Sequence, residues 1–121
     1  MTEKRNSKRY DLEDRTLAFA KKVCEFVKKL NKNIANNEDG KQLIRSSGSI
    51  GANYIEANEA LSKKDFLMRI KICRKEAKES VYWLRLVDTQ SQSSLESFRE
   101  MLEKEAVELT HIFGAIVTKS Q

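Results

Sequence analysis

The chain contains few residues whose type and spacing could support catalysis. Glu108 and His111 stand three positions apart on a predicted helix, which is the Glu-x-x-His spacing of carboxylate-bridged di-iron bundles. In those proteins two facing helices each contribute such a pair, whereas His111 is the single histidine of this chain. A second pair is therefore impossible within one subunit. His111 also falls beside the apolar face of its helix, so we interpret it as a surface histidine.

The cysteines and the short catalytic motifs lead to the same conclusion. Cys24 and Cys73 lie far apart without a CxxC or Cys/His grouping, which favours two reduced thiols in helix packing over a disulfide or a zinc site. The chain has no Ser/His/Asp set and no Walker-type GKS or GKT. We therefore predict that the protein is not an enzyme and that it binds no cofactor and no metal.

Charge is the stronger functional signal. The chain has 23 basic and 18 acidic residues, and the positive excess concentrates in residues 1–10 and on the first and third predicted helices. Basic surfaces of this kind are candidates for phosphate contact, although a solvated, solubilising face is the alternative. The candidate nucleic-acid-binding residues are Lys21, Lys22, Lys28, Lys29 and Lys32 on the first helix and Arg74, Lys75 and Lys78 in "KICRKEAK" on the third.

The elements that must position these residues are predicted to be helices. Zero prolines, four glycines and 34% charged residues favour an all-α fold, here one domain over residues 1–121. The stretch "NKNIANNEDG" is rich in turn formers and is predicted to be a loop, Ser62 to cap the third helix, and Ser93 with Glu96 to form a capping box. Short loops predict an antiparallel, up-down-up-down four-helix bundle. The apolar periodicity places its helices at about 11–32, 40–60, 63–89 and 94–118.

The stretch "RSSGSIGANYIEANEA" could be read as a phosphate-cradling loop, but its periodicity predicts a helix. Leu43, Ser47 and Ile50 recur at helical spacing and continue to Tyr54. A KH-type "GSIG" clamp would need strands elsewhere, which the pattern does not show. The glycines in the stretch each cost about 1 kcal/mol against alanine in a helix, so close approach of another helix is expected there.

The third helix carries two rows of side chains that need packing partners. The first is a heptad seam from Phe66 to Val87, and the second contains Ile72, Trp83 and Leu86. We therefore expect a homo-oligomer with the second row at or near the subunit contact. The alternative is that helices of the same subunit fill both rows.

Polar residues on the second and third helices are predicted to meet. The functional interpretation is a ligand-binding or RNA-binding patch, and the favoured alternative is a hydrogen-bonded network that fixes helix register or a subunit contact. The residues of this polar patch are Arg45, Ser49, Asn53, Glu56, Glu76, Glu79 and Trp83.

The runs "YDLEDRT" and "LIRSSGSIGANYIEANEALSKKDFLMRIKICRKEAKESVYWLRL" resemble the 23S rRNA intervening-sequence protein family and, more distantly, the accessory variability determinants of diversity-generating retroelements. The resemblance implies a ring-shaped homo-oligomer, typically a pentamer, with a suspected nucleic-acid role and no defined reaction. Many relatives have glycine soon after the glutamate of the second helix, whereas this chain has "EANEA". The family's motif elements fall on the seven polar-patch residues and on Ser62, Asp65 and Phe66.

The sequence therefore predicts a non-enzymatic oligomer that binds structured RNA or DNA through its basic helix faces. The alternative is an adaptor that docks a partner protein without contacting nucleic acid. The basic N-terminus lacks an apolar h-region and no apolar run approaches the roughly 20 residues of a membrane span, which predicts a cytoplasmic location and no membrane contact.

Overall fold

The computed structural model describes the backbone of residues 7–121 and the side chains from residue 12 onward. These residues form four α-helices and no β-strand, which confirms the all-α prediction. Each helix packs against its neighbours in the chain, and the first also packs against the fourth. The helices are α1 (Ser7–Lys29), α2 (Ile34–Asn58), α3 (Lys63–Leu86) and α4 (Ser93–Ser120).

One apolar core lies between the four helices. Phe26 packs edge-on against Phe98 with ring centroids 5.4 Å apart, and Tyr54 packs against Phe113 at 5.7 Å. The predicted heptad seam of α3 enters this core, since it is buried from Ile70 to Val87. The largest fully buried side chains are Phe19, Phe26, Phe113, Leu43, Ile50, Ile70, Leu84, Leu102 and Leu109.

The predicted loop "NKNIANNEDG" is wrong for most of its length, because α2 begins at Ile34. Asn33 caps the helix by accepting a hydrogen bond from the Asn36 N–H at 2.8 Å. The Asn36 side chain is buried and donates to the Asn31 and Asp88 carbonyls, both at 2.9 Å. Turn-forming residues are compatible with a first helical turn when a cap and a tertiary partner satisfy their polar groups.

The other helix ends differ from the predicted ones by a few residues. The backbone of α1 is already helical at Ser7 rather than Asp11, and no glycine or proline lies between these residues to stop the helix. Ser62 caps α3 as predicted. The predicted capping box of Ser93 and Glu96 is wrong. The N-cap of α4 is Gln92, whose side chain makes no cap hydrogen bond. The Glu96 carboxylate accepts hydrogen bonds from Thr89 and Arg99 instead.

Arg99 also closes the end of α3. Its guanidinium donates to the Val87 carbonyl at 2.6 Å and to the Leu84 carbonyl at 3.0 Å. Carbonyls in the last turn of a helix lack intrahelical donors, so a cation there satisfies them. The turn between α3 and α4 is thereby held from the α4 side.

Helix α1 approaches α2 closely at two glycines. A Cβ at Gly51 would lie 2.9 Å from Thr16 Oγ1, and one at Gly40 would lie 3.0 Å from Val27 Cγ1. The expected close approach is therefore confirmed at Gly51. It fails at Gly48, where nothing in the described part of the chain comes within 4 Å.

None of the four helices, over the residues described, is long and apolar enough to cross a membrane.

Candidate nucleic-acid interface

All eight basic residues predicted to contact nucleic acid are exposed, but they form two separate surfaces. Five lie on α1 or just after it, and three lie on α3. Within residues 7–121, the backbones of α1 and α3 are not adjacent. Each of these two helices packs against α2 and α4 instead. The basic residues before Ser7 lie outside the described residues. The structure therefore divides a set that the sequence grouped by charge alone.

The α1 surface is interleaved with acids and partly used for packing. The Lys29 ammonium lies 5.6 Å from the centroid of the Phe98 ring, so this lysine supports the α1/α4 contact. Glu25 is exposed and lies one helical turn from both Lys21 and Lys28. These neighbours reduce the positive field that α1 presents to a phosphate.

The α3 surface forms one wall of a groove between α3 and α4. Lys71, Arg74, Lys75 and Lys78 supply that wall. None of the described residues that line this groove is acidic. The remaining lining residues come from α4 and are Thr110, His111, Gly114 and Thr118.

Sequence reasoning missed the α4 wall of this groove. Thr110 and Thr118 donate their hydroxyl protons to the Ala106 and Gly114 carbonyls, at 2.8 and 3.1 Å, and so carry no charge pattern that a sequence search would find. His111 was assigned to the surface, where the structure places it, but its neighbours on α3 were not predicted.

The polar patch is assembled in part. One Arg45 nitrogen lies 2.6 Å from Glu79 Oε2 and 3.5 Å from Glu76 Oε1. The Trp83 indole N–H donates to the same Glu79 oxygen at 3.1 Å. The hydrogen bond from Trp83, together with Arg45, lowers the pKa of Glu79, because both stabilise the charged carboxylate. This part of the patch links α2 to α3.

Glu76 is the least solvated member of the patch. The residue is 6% exposed, and its Oε1 forms no hydrogen bond with a described residue, so the Arg45 guanidinium at 3.5 Å is its ion-pair partner. Its backbone carbonyl accepts from Ser80 Oγ at 2.9 Å, and Ser80 Oγ lies 2.8 Å from Ser46 Oγ of α2. A hydroxyl pair therefore crosses the helix contact beside the buried carboxylate.

The remaining patch residues form a second cluster or stay apart. Asn53 donates to Ser49 Oγ at 2.9 Å and accepts from Arg69 at 2.9 Å, so it is held between the two helices. Arg69 was not predicted, although it stands three residues before Ile72 and seven before Glu76 and so continues the second row of α3. Glu56 is exposed and has no side-chain hydrogen bond or ion pair with the residues described.

The structure separates the residues considered for catalysis. Glu108 accepts a hydrogen bond from Arg15 on the α1 side of α4, whereas His111 lines the α3/α4 groove. Cys73 is fully buried, and burial raises the pKa of its thiol to about 12. Among the described residues, no three His, Cys, Asp or Glu side chains are placed to hold a metal ion.

Four long helices and a basic exterior define a small all-α protein. A family model described as 23S rRNA-intervening sequence protein matches residues 8–114, and the chain belongs to this family. The chain is also similar to a solved structure from Bacteroides thetaiotaomicron, a protein of unknown function from the S23 ribosomal protein family. The two are 31% identical, the match covers 92% of this chain and 98% of the other, and the TM-score is 0.75. No curated protein matches the chain.

Proposed function

We propose that the protein is a non-enzymatic, cytoplasmic oligomer that binds structured RNA or DNA through phosphate contacts. The observation that carries this proposal is the state of the eight basic side chains. All are exposed, and none forms an ion pair with another described residue, whereas the arginines at the helix contacts do. Basic side chains that form no ion pair within the fold can neutralise phosphates.

Family membership adds support of a different kind. The family is described by its relation to an intervening sequence of 23S rRNA, and the similar solved structure is assigned to a ribosomal protein family. Both descriptions connect such proteins with RNA. We extend that connection to this chain as part of the proposal.

We further propose an antiparallel, up-down-up-down four-helix bundle that assembles into a pentameric ring. Gly51 lies close to Thr16, and Gly40 lies close to Val27. The residue numbers therefore increase along α2 in the direction in which they decrease along α1, which supports an antiparallel pair. Asn53 near the end of α2 bonds Arg69 near the start of α3, which supports the same relation for that pair. The ring is supported by the apolar side chains that α3 leaves exposed.

Salt dependence tests the nucleic-acid proposal. Binding of the purified oligomer to an RNA hairpin and to duplex DNA should vary little with sequence and fall steeply with salt, since each neutralised phosphate releases counterions. Lys28→Glu should weaken binding and flatten the plot of log affinity against log salt by about one unit. Lys28 is preferred to Lys29 for this test, because Lys29 packs on Phe98.

The competing proposal is an adaptor that docks a partner protein. Tyr82 and Leu86 on α3 are 59% and 47% exposed, which would suit such a contact as well as a second copy of this chain. The adaptor predicts no shift of RNA or DNA even at about 50 mM salt, where phosphate contacts are strongest. That result in a gel-shift or anisotropy assay would end the nucleic-acid proposal.

A further inference from the structure

We propose that the groove between α3 and α4 is the principal phosphate-binding surface of this protein and that it takes one strand of a nucleic-acid backbone. This inference rests on the proposed nucleic-acid function and deepens it. It assigns the dominant role to one of the two basic surfaces, and it adds Lys71 and the α4 wall to the residues predicted from the sequence.

Charge separates this groove from two other grooves between the described helices. The α1/α4 groove contains Glu105 and Glu108, which Arg15 already binds. The α1/α2 groove contains Glu38, whose carboxylate lies 3.8 Å from Lys41. In both, an entering phosphate meets a carboxylate as well as cations. The described lining of the α3/α4 groove has four cations and no acid, so a phosphate that enters it meets no carboxylate in that lining. Glu79 lies one turn from Lys75 on the same helix and outside the lining.

The spacing of the cations suits a run of phosphates. Lys71 and Lys78 are seven residues apart, which is about 10 Å along a helix, with Arg74 and Lys75 between them. A wall of this length can contact more than one phosphate of a strand at once, and each such contact would release counterions.

The α4 wall lets a strand approach without repulsion. The Thr110 and Thr118 hydroxyls already donate to backbone carbonyls of α4. The two threonines therefore give this wall space and polar atoms but no strong hydrogen-bond donor. Gly114 keeps the groove open because it has no side chain. A Cβ added at this position would lie 3.6 Å from Arg74 Cδ, an ordinary van der Waals distance, so a larger residue fits without a clash at its Cβ. A longer side chain at this position would project into the path of the strand.

Gly114 provides a test that leaves every basic residue in place. Gly114→Glu adds a carboxylate to the groove, and Gly114→Gln adds nearly the same volume without charge. Gly48→Glu makes the identical substitution on α2, at an exposed helical glycine with nothing within 4 Å in the described chain. All three replace a helical glycine by a better helix former, so the fold should be retained, which circular dichroism and light scattering check.

Binding to an RNA hairpin and to a DNA duplex of the same sequence is measured by anisotropy at several salt concentrations. We expect Gly114→Glu to weaken binding by about tenfold or more and to flatten the salt slope, because it repels phosphates from adjacent cations. Gly114→Gln should have a smaller effect, and Gly48→Glu should lie close to the unmodified protein. Lys71→Gln with Lys78→Gln should lower the slope by about two units.

The outcomes distinguish the inference from the function on which it rests. Equal losses for Gly114→Glu and Gly48→Glu, in a protein that binds RNA or DNA, would overturn the groove assignment and leave the function standing. No binding by the unmodified protein would overturn both. Displacement of the RNA by polyglutamate of matched charge at similar concentration would indicate an acidic protein partner and would also overturn the inference.

Discussion

Asn36 illustrates how one buried polar side chain joins distant parts of this chain. It is 3% exposed, and it bonds the Asp88 backbone twice: its amide donates to the Asp88 carbonyl, and its oxygen accepts from the Asp88 N–H, both at 2.9 Å. It also bonds the Asn31 carbonyl. The start of α2 is thereby fastened both to the α1/α2 turn and to the segment that follows α3.

Asn36→Ala should therefore destabilise the protein by about 1–3 kcal/mol, because buried backbone groups lose their partners. Asn37→Ala is the matched control: Asn37 is exposed, and surface substitutions of this kind change stability by about 0.5 kcal/mol or less. Urea denaturation of the two variants measures the difference. Similar unfolding free energies for both would show that the Asn36 contacts contribute little.

The lowered pKa of Glu79 predicts that the stability of the protein depends on pH. Its pKa is lowered in the folded state, so the unfolded state binds a proton more readily, and the stabilisation is present at neutral pH but lost as the pH falls through the folded pKa. Glu79→Gln should cost about 0.2–1 kcal/mol near pH 7 and progressively less in acid. Glu56→Gln is the control, since the Glu56 side chain forms no hydrogen bond or ion pair with another residue whose side chain is described. A constant difference from neutral to acidic pH would contradict this account.

The α1/α2 pair owes its close contact to two glycines on one face of α2. Gly40 and Gly51 are eleven residues apart, close to three full turns, and their partners Val27 and Thr16 have the same separation on α1. The tighter contact is the one with Thr16, which is buried and hydrogen-bonded to the Leu12 carbonyl at 2.7 Å. Thr16 therefore has little freedom to move away from an added methyl group.

Alanine at two glycines of α2 should have opposite consequences. Gly48→Ala should stabilise the protein by up to about 1 kcal/mol, since the position is helical and open. Gly51→Ala gains the same propensity but presses on Thr16, and overpacking of this kind costs about 1–3 kcal/mol. Melting temperatures compare the pair directly. Equal increases for both would show that α1 adjusts freely at Gly51.

Helix α3 carries an exposed apolar surface next to its basic residues. The groove with α4 is lined by Lys71, Arg74, Lys75 and Lys78. Met68, Tyr82 and Leu86 are between 47% and 59% exposed, and Tyr82 lies one helical turn beyond Lys78. Trp83 is half-buried and packs edge-on against Tyr82 at 5.0 Å. An apolar surface of this kind is typical of subunit contacts.

The proposed oligomer should therefore depend on Leu86. Light scattering at micromolar concentration should give the mass of an oligomer, a pentamer by family resemblance, and Leu86→Glu should reduce it. Leu17→Glu is the control, because Leu17 is a similarly exposed leucine (54%) on α1. A monomer mass for the unmodified protein would refute the assembly, and dissociation by both variants would refute the placement of the contact.

The amino-acid sequence by itself determined the features that rest on local, repeated spacing. The four helices, the buried seam of α3, the Ser62 cap and the close approach at Gly51 were all predicted, because helical periodicity and capping depend on residues within a few positions of one another. The start of α2 was predicted wrongly. The Asn36 side chain in its first turn is hydrogen-bonded to the Asp88 backbone, 52 residues further along the chain.

The tertiary structure decided which side chains share a surface. Charge placed the basic residues of α1 and α3 in one set, but only the packing shows that Lys29 lies on Phe98 and that Lys71 and His111 line one groove whose described lining has no carboxylate. It likewise brought Arg69 to Asn53 and left Glu56 outside the polar patch. The physical reason is that such contacts depend on which helices are neighbours and on the offset of one helix along the other, whereas the apolar spacing of a single helix shows only which of its faces turns to the core.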